Sequence, residues 1–212
     1  MCSGRIDIAH ILRAFSNGID GVFIGACHLN ECNYTTHGNY HTLNMTLLIK
    51  KIMEHIGLNP ERLRIAFMSG AEANILVEST NDFVKKITAL GAIGKGEGID
   101  QDELKGKFEE LIRLIPYIKI TKRDKLNIRL KNEKEGGLLF TNDEIDELFK
   151  GIASYYIVPE KCQACMICLR KCPVDAIEGA KKQTHIINQD KCIKCGTCFE
   201  ACPPRFQAII KT

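Results

Sequence analysis

Eight of the eleven cysteines form two copies of one spacing that suits iron binding. The first run holds Cys162, Cys165, Cys168 and Cys172, and the second holds Cys192, Cys195, Cys198 and Cys202. Each run reads C-x2-C-x2-C-x3-C and is followed by proline. Three closely spaced thiolates on one loop can reach three irons of a four-iron cubane. The spacing therefore predicts two [4Fe–4S] clusters, which exchange single electrons.

The two runs are expected to share their ligands. In two-cluster ferredoxins, the fourth cysteine of each run binds the cluster of the other run. The first cluster is therefore assigned to Cys162, Cys165, Cys168 and Cys202, and the second to Cys172, Cys192, Cys195 and Cys198. Because neither run completes a site alone, this part of the chain should fold around its clusters.

Zinc and disulfides are the alternatives for these eight thiols. A structural zinc site needs only two C-x2-C pairs, and each run offers more cysteines than that. Residues 1–12 lack the basic segment followed by an apolar run that marks a secretory leader. We therefore expect a cytoplasmic protein whose cysteines bind metal and are not cross-linked.

The repeat extends beyond the ligands and indicates a small domain of its own. Glu160-Lys161 before the first run recurs as Asp190-Lys191 before the second. Short apolar strands are predicted at 155–158, 184–187 and 208–210, with a helical turn after the first run. The pattern predicts an α+β ferredoxin-like domain over residues 154–212.

Composition limits the function classes. The chain has 212 residues, is 45% hydrophobic and carries a formal net charge of +3. This suits one medium domain and one small one, and it gives no reason to expect a nucleic-acid partner. Its apolar stretches are too short to span a membrane. We find no hydrolase, P-loop or H-E-x-x-H motif, so no catalytic site of its own is predicted.

Charge in the small domain favours a fixed electron relay. Residues 159–212 hold nine Lys and Arg against five Asp and Glu. Anionic thiolate clusters would bring this domain close to neutrality. A freely diffusing carrier usually uses a strong field to find its partners, so a component of a larger complex is favoured.

Residues 1–91 alternate helices and strands. Apolar periodicity predicts a helix over Ile8–Phe15 and another over Met45–Ile56, with strands at Gly21–Gly25 and Leu63–Met68. The capping-box pattern Ser69–Glu72 opens a third helix. This order predicts a partial parallel sheet in an α/β, Rossmann- or flavodoxin-like domain. Two strands make a small sheet, so further strands are expected from a partner chain, a separate fragment or preceding coding sequence.

Three further cysteines lie in loops of this α/β domain. Cys2 and the pair Cys27 and Cys32 follow positions where parallel strands would end, so they should be neighbours in space. A zinc site using Cys27, Cys32, His37 and His41 is a weaker alternative. His28 could form a hydrogen bond that tunes a cluster. The remaining histidines are expected at the surface or at helix caps; they are His10, His55 and His185.

Residues 92–153 are predicted to be a linker and a helical connector. The glycine-rich stretch 91–101 follows a helix and not a strand, which favours a flexible linker over a phosphate loop. A helix from Leu104 should end at Pro116, and the charge-rich residues 119–136 should form a solvated turn or β-ribbon. Thr141 should cap a last helix. The connector must pack on one domain or dock on a partner.

Several motifs in residues 1–91 resemble one family. They are Cys2–Asp7, Asp20–His28, Glu31–Tyr34, Gly38–Tyr40, Asn59–Arg62 and Ser69–Glu72. Together they resemble the delta subunit of methyl-viologen-reducing hydrogenase. The resemblance implies a [2Fe–2S] cluster with Cys2, Cys27 and Cys32 as possible ligands, and no fourth ligand is evident. It also implies electron transfer between a hydrogenase or formate dehydrogenase and the flavin subunit of heterodisulfide reductase.

The combined prediction is an iron–sulfur electron-transfer subunit of an anaerobic oxidoreductase complex. The resemblance implies a flavin-based electron-bifurcating complex with a flavin subunit like that of heterodisulfide reductase as its neighbour. A free ferredoxin-like carrier is one alternative. A redox-sensing thiol protein that uses Cys27 and Cys32 is the other.

Overall fold

The computed structural model describes residues 2–34, 37–130, 133–150 and 154–212. The chain forms two compact units, residues 1–148 and 149–212. The predicted boundary at 153 lies outside the described residues. The domain boundaries at 91 and 153 stay predictions.

A parallel pair of strands organises the first part of unit 1. Its elements are α1 (Ile8–Ser16), β1 (Val22–Ala26), α2 (Asn39–His55), β2 (Leu63–Phe67) and α3 (Ala73–Leu90). Val22 of β1 lies opposite Leu63 of β2, and Ala26 lies opposite Phe67. The predicted alternation and the parallel pairing are confirmed. The finer Rossmann- or flavodoxin-like assignment stays a prediction, because two strands do not define a sheet order.

A capping box fixes where α1 begins, and apolar side chains bury α2. The Asp7 carboxylate accepts from the Ala9 N–H, and His10 accepts from the Asp7 N–H, which forms a capping box. Helix α2 fills the centre of the unit, with four apolar side chains that are fully buried: Leu48, Ile49, Ile52 and Met53. The helix therefore supplies the core that α1 and the sheet need.

Helix α3 begins later than predicted. Its first residue is Ala73, so Ser69 is not its N-cap. The Glu72 carboxylate does accept from the Ser69 N–H at 2.7 Å, but it also lies 2.6 Å from His28 Nε2. Part of the capping box therefore forms, and residues 70–71 make a turn before the helix begins.

Helix α4 (Gln101–Thr121) continues through Pro116, so the predicted end of this helix is wrong. Proline inside a helix costs about 3 kcal/mol. Ile115 and Ile118 are buried on either side of it, and the ring of Phe108 stacks on Phe15 of α1 at 6.1 Å. Each buried side chain of this size contributes about 1.5–3 kcal/mol, so tertiary packing outweighs the local penalty.

The segment after α4 is partly helical, so the prediction of a turn or ribbon over 119–136 is wrong for its helical residues, whereas residues 127–130 are not helical. It contains α5 (Arg123–Leu126) and α6 (Glu133–Gly136). The Asn44 side chain on α2 donates to the carbonyls of Lys125, Leu126 and Ile128. The buried asparagine therefore anchors a charge-rich segment to the core of unit 1.

Helix α7 (Asn142–Lys150) begins as predicted. Thr141 Oγ1 accepts from the Glu144 N–H at 3.2 Å. The Glu144 carboxylate also pairs with Lys122 and Lys125. The connector thus packs on the first unit, which was one of its two predicted arrangements.

Residues 91–98 form hydrogen-bonded turns, so the prediction of a flexible linker is wrong. The fully buried guanidinium of Arg62 donates to the carbonyls of Leu90, Gly91 and Ala92 and to the Glu97 carboxylate. A Cβ at Gly96 would lie 2.0 Å from the Leu90 oxygen, so only glycine fits there. The glycines allow the chain to wrap around a buried charge.

From Ser154 onward, unit 2 contains two antiparallel strand pairs and two short α-helices. Its elements are β3 (Tyr155–Ile157), α8 (Ile167–Lys171), β4 (Ile177–Glu178), β5 (Ile186–Ile187), α9 (Thr197–Ala201) and β6 (Ile209–Lys211). Strand β3 pairs with β6, and β4 pairs with β5. The three predicted strands are confirmed. Residues 173–177 were predicted as a helical turn and an apolar anchor, and the pairing of β4 with β5 places Ile177 in an extended strand.

Among the described residues, the longest helices carry too many charged side chains, and too little apolar sequence, to cross a membrane.

Candidate iron–sulfur sites

One cavity of unit 2 is lined by thiols from both cysteine runs. Its sulfur-bearing residues are Cys162, Cys165, Cys168 and Cys202. The remaining wall is mainly apolar and includes Ile157, Phe206 and Ile209, with His185 as the ionisable exception. Three of the thiols come from the first run and one from the second.

A second cavity has the reciprocal composition. Its cysteines are Cys172, Cys192, Cys195 and Cys198. Tyr155, Ile177 and Ile187 contribute to its wall. The donor set of each cavity therefore fits one cubane, with the fourth thiol provided by the other run.

Left-handed backbone in the two cysteine loops explains how three thiols turn to one side. Ala164 and Met166 have φ values of 50° and 64° in the first loop. Lys194 and Gly196 hold the equivalent positions thirty residues later, with φ values of 56° and 78°. Three of these four residues carry a Cβ, so the loops store local strain. Binding of four thiolates to one cluster would hold such a conformation.

Backbone N–H groups point at several of the sulfurs. The Ala176 N–H donates to Cys172 Sγ at 3.3 Å, and the Ala208 N–H donates to Cys202 Sγ at 3.4 Å. These two bonds lie at equivalent positions of the repeat. Hydrogen bonds of this kind stabilise negative charge on sulfur, as an anionic cluster requires.

Burial makes the free thiols poor acids, and iron would reverse this. Burial raises the pKa of Cys168, Cys192 and Cys198, and the pKa of Cys198 reaches about 11. A thiol of this kind is protonated near neutral pH. Coordination to a metal removes the proton, because the cation supplies the missing charge. The buried thiols therefore suit ligands of a cluster and do not suit exposed, reactive cysteines.

The three cysteines of the α/β part lie together, as predicted. Cys2 Sγ is 3.7 Å from Cys32 Sγ. The Gly4 N–H donates to Cys2 Sγ at 3.4 Å, and Asn39 Nδ2 lies 3.5 Å from Cys27 Sγ. Cys27 directly follows β1, so the thiols gather at the carboxyl end of the parallel strands.

Asn39 holds this thiol loop and was not predicted from the sequence. It is fully buried at the first position of α2. Its amide group donates to the carbonyl oxygen of Cys27 at 2.8 Å and to that of His28 at 2.7 Å. A polar residue at the start of a helix is ordinary, so only its burial against the loop reveals this role.

The thiols differ in acidity. Burial and the neighbouring Cys32 raise the pKa of Cys27. Burial also acts to raise the pKa of Cys32, but the N–H groups of Tyr34 and Asn39 outweigh it and leave this pKa below its ordinary value. Cys32 is therefore the thiol that ionises more readily.

The cleft beside these thiols is open and partly acidic. Cys2, Cys27 and Glu72 line it, together with the turn before α3. The Glu72 carboxylate raises the pKa of His28, whose Nε2 lies 2.6 Å away. The structure thus places His28 in an ion pair with Glu72, and its predicted hydrogen bond to a cluster stays a prediction.

The zinc alternative receives no geometric support. The rings of His37 and His41 are 5.8 Å apart, but His41 Nδ1 lies 3.2 Å from the carbonyl oxygen of Leu126. Burial lowers the pKa of His41. Across the described ranges, no three His, Cys, Asp or Glu side chains converge closely enough to hold a single metal ion. A cubane differs from a single ion because each of its ligands binds a separate iron.

The prediction for the other histidines is correct for two and wrong for one. His10 caps α1, and His55 forms a partly exposed pair with Asp146. His185 is only 1% exposed and lies against the first cysteine cavity. Its polar character and short flanking strand suggested the surface, whereas packing places it in the interior.

Comparisons with known proteins divide the chain in the same places as its cysteine motifs. Residues 1–91 match the family described as methyl-viologen-reducing hydrogenase, delta subunit. Residues 154–203 match a 4Fe-4S dicluster domain. The second match supports the predicted iron–sulfur clusters, whereas the [2Fe–2S] cluster stays a prediction.

Individual relatives match the amino-terminal part. The iron-sulfur subunit of the F420-non-reducing hydrogenase of Archaeoglobus profundus is 40% identical over 90 residues, which are 42% of this chain and 65% of that protein. The corresponding hydrogenase protein of Methanopyrus kandleri is 36% identical over 92 residues, or 43% of this chain and 69% of the relative. A third relative is a component of the ferredoxin/F420H2-dependent CoB-CoM heterodisulfide reductase of Methanosarcina acetivorans, which is 37% identical over 94 residues.

The matched region covers only part of some relatives. It covers 44% of this chain but 12% of the Methanosarcina protein, and it covers about two thirds of the hydrogenase proteins. The prediction of the family from the motifs is confirmed by the profile match and by the Methanopyrus relative. The chain belongs, through residues 1–91, to the methyl-viologen-reducing hydrogenase delta-subunit family, and it carries a 4Fe-4S dicluster domain in its carboxyl-terminal part.

Proposed function

We propose that the protein is an iron–sulfur electron-transfer subunit of an oxidoreductase complex. One observation carries the proposal: two cavities of one small unit are each lined by four cysteines, drawn three to one from the two runs. The first cubane is held by Cys162, Cys165, Cys168 and Cys202, and the second by Cys172, Cys192, Cys195 and Cys198. A [4Fe–4S] cluster accepts and releases one electron at a time.

The residues of unit 2 bind the proposed clusters, shield them from water and influence their reduction potentials. The two loops present three thiolates each, and apolar side chains such as Ile157 and Ile187 limit access of water. Cys165 is exposed, so the wall of the first cavity is thin there and offers a short route for electrons to a partner. Burial, hydrogen bonds and exposure are the means by which a protein sets cluster potentials.

The α/β part contributes a third redox centre. Cys2, Cys27 and Cys32 provide three ligands of a [2Fe–2S] cluster, and the fourth comes from a residue outside this trio. The hydrogen bonds from Asn39 and Gly4 support the proposal, because they orient the loop and offer donors to sulfur. The family membership supports it as well.

The partners are proposed from the relatives. Those relatives are components of hydrogenases and of heterodisulfide reductase. We therefore propose that the chain relays electrons between a flavin-containing protein like that of heterodisulfide reductase and a hydrogenase, formate dehydrogenase or other reductase. The complex is proposed to be anaerobic and flavin-based bifurcating. Two anionic clusters would bring residues 159–212 close to neutrality, which favours a bound component over a free carrier.

Anaerobic preparation of the full chain tests this proposal. Iron and sulfide analysis should give two cubanes, and electron paramagnetic resonance of the reduced protein should show both. Cys202→Ser should alter the same cluster as Cys165→Ser, whereas Cys172→Ser should alter the other. Cysteines paired as disulfides, or zinc in place of iron, would overturn the proposal. Co-purification from the native host should recover a flavoprotein.

A thiol-disulfide function is the second candidate. The sequence predicts it for Cys27 and Cys32, and the 3.7 Å separation of Cys2 Sγ and Cys32 Sγ favours a different pair for the reaction. In this reaction the two cysteine thiols would form one S–S bond. An external disulfide would take up their two electrons and two protons, and its S–S bond would break to give two thiols. Cys32→Ser distinguishes the candidates. Loss of a [2Fe–2S] signal supports the relay, and unchanged iron with loss of disulfide exchange supports the thiol function.

A further inference from the structure

Two positions related by the thirty-residue repeat of unit 2 carry different aromatic side chains. Tyr155 precedes the first cysteine by seven residues, and His185 precedes Cys192 by the same interval. Tyr155 lines the second cavity, and His185 lines the first. Each ring therefore faces the cavity whose three-cysteine loop lies in the other half of the repeat. One half places a phenol there, and the other places an imidazole.

The ring of His185 is held tightly. The residue is 1% exposed, and its Nε2 lies 3.1 Å from Met166 Sδ. Gly179 has a φ of 157°, and a Cβ at that position would lie 2.4 Å from His185 Cδ2. Only a glycine lets the backbone approach the ring so closely. The imidazole thus has one orientation and little room to rotate.

That orientation directs a nitrogen of the ring at a proposed iron ligand. His185 Nδ1 lies 3.7 Å from Cys162 Sγ, within hydrogen-bonding distance for sulfur. An iron-bound thiolate has no proton to donate and can only accept. Met166 Sδ beside Nε2 is also only an acceptor, so a neutral imidazole donates to one of the two sulfurs. The anionic thiolate is the stronger acceptor, which favours the tautomer with its proton on Nδ1 when the first site holds its cluster. Hydrogen bonds to cluster sulfurs are among the groups that set the reduction potential.

The second cavity has a side-chain contact of a different kind. Thr197 Oγ1 lies 3.2 Å from Cys195 Sγ and can donate its hydroxyl proton to the bound thiolate. The residue thirty positions earlier is Ile167, which has no such group. The backbone bonds from Ala176 and Ala208 are matched between the two halves. The two side-chain donors are therefore elements that distinguish the sites.

We propose that His185 is a positioning residue that raises the reduction potential of the first cluster through its Nδ1–H bond to Cys162. The reduced cluster carries one more negative charge than the oxidised one, so a donor at sulfur stabilises the reduced form more. Thr197 plays the corresponding part for the second cluster. The inference rests on the proposed cubane ligation, and it adds a means by which this chain sets each centre separately.

The test is an anaerobic redox titration of the full chain, followed by electron paramagnetic resonance. Cys165→Ser identifies the signal of the first cluster, and Cys195→Ser identifies that of the second. In His185→Phe, the first cluster should become harder to reduce, with its reduced-to-oxidised ratio at a given potential about tenfold lower. For one electron, tenfold corresponds to about 59 mV. The second cluster should keep its potential.

Two matched variants separate a hydrogen bond from simple packing. His185→Asn keeps an N–H near the place of Nδ1, so the first cluster should stay close to the parent potential. Thr197→Val removes the other donor and should lower the reduction potential of the second cluster only. Iron content is measured for each variant. If His185→Phe fails to hold the first cluster, the potential of His185→Asn decides: the parent value supports the proposal, and a lowered value refutes it.

The outcomes also distinguish this proposal from the proposed function. Absence of cubane signals in the parent protein would refute the function and the inference together. Two intact cubanes whose potentials are unchanged in His185→Phe would refute only the role of His185. An equal shift of both clusters would also refute it, because a hydrogen bond to Cys162 acts on one site.

Discussion

Arg62 and Glu97 form the most deeply buried ion pair of the described residues, and breaking it should destabilise unit 1. The Arg62 side chain is fully buried, and that of Glu97 is 9% exposed. Arg62 Nε lies 2.6 Å from Glu97 Oε1, and Nη2 lies 3.0 Å from Oε2. Glu97 also accepts from the N–H groups of Asn59 and Gly94. The pair connects the start of β2 to the glycine-rich turns.

Glu97→Ala should lower the free energy of unfolding by about 3–5 kcal/mol, because it leaves a buried guanidinium without its counter-charge. The hydrogen bonds of Arg62 to backbone carbonyls would remain. Four hydrogen bonds to the carboxylate are lost, two from Arg62 and two from the N–H groups of Asn59 and Gly94. Bonds to a charged group are worth about 1.5–3 kcal/mol each but are not additive, so the range set by the unpaired charge is a conservative expectation. Since domains have about 5–15 kcal/mol in total, the loss is a large fraction. Glu97→Gln should cost less, because it keeps an acceptor.

Glu61→Ala is the matched control. Glu61 pairs with Lys86 at 2.5 Å, but the two side chains are 49% and 54% exposed. Exposed pairs contribute about 0–1 kcal/mol. Chemical denaturation of the full chain under anaerobic conditions can be followed by far-UV circular dichroism. This signal reports mainly on unit 1, because the two helices of unit 2 have only five residues each.

A double-mutant cycle with Arg62→Met completes the experiment. The two single variants should each be strongly destabilised, and the double variant should recover part of the loss because no charge is left buried alone. If Glu97→Ala costs no more than Glu61→Ala, the reasoning from burial is refuted.

Three further predictions concern pH, the thiol loop and iron. Burial acts to raise the pKa of Glu97, but the hydrogen bonds from Arg62, Asn59 and Gly94 and the charge of Arg62 together outweigh it and leave the pKa below its ordinary value. Its stabilising effect is therefore complete above the unfolded-state pKa of about 4.3 and is lost as pH falls through the folded value, so Glu97→Gln should flatten the acid limb of a stability–pH curve. Asn39→Ala should free the loop that carries Cys27 and increase the rate of Cys27 alkylation in iron-free protein at least several-fold, measured by mass spectrometry; an unchanged rate would contradict the holding role. Removal of iron by a chelator should make residues 154–212 sensitive to proteolysis while unit 1 stays resistant. The eight thiols would then have no cluster to connect the two cysteine runs.

Local spacing made much of this protein predictable. The two cysteine runs indicate their chemistry and their exchange of fourth ligands without knowledge of the fold, because a ligand set is encoded in residue type and interval. Helix α2 and strands β1 and β2 follow from apolar periodicity for a similar reason. The meeting of Cys2, Cys27 and Cys32 was also predictable, since parallel strands end at one edge.

Predictions from the sequence were wrong where contacts with residues distant along the chain outweighed local conformational preferences. Pro116 lies inside α4 because the stacking of Phe15 on this helix and the burial of Ile118 stabilise a continuous helix. The stretch 91–98 is ordered because its carbonyls meet a buried Arg62, which lies far away in sequence. Neither contact leaves a periodic or local signal.

The intervals between the cysteines are enough to show which atoms can bind iron and in what order they occur along the chain. The polar groups that face these atoms, such as Asn39 beside Cys27 and His185 beside Cys162, are visible only in the folded chain. The reason is physical: the sequence specifies the donors and acceptors, whereas burial and distance, which determine whether two of them interact, emerge only when remote segments pack together.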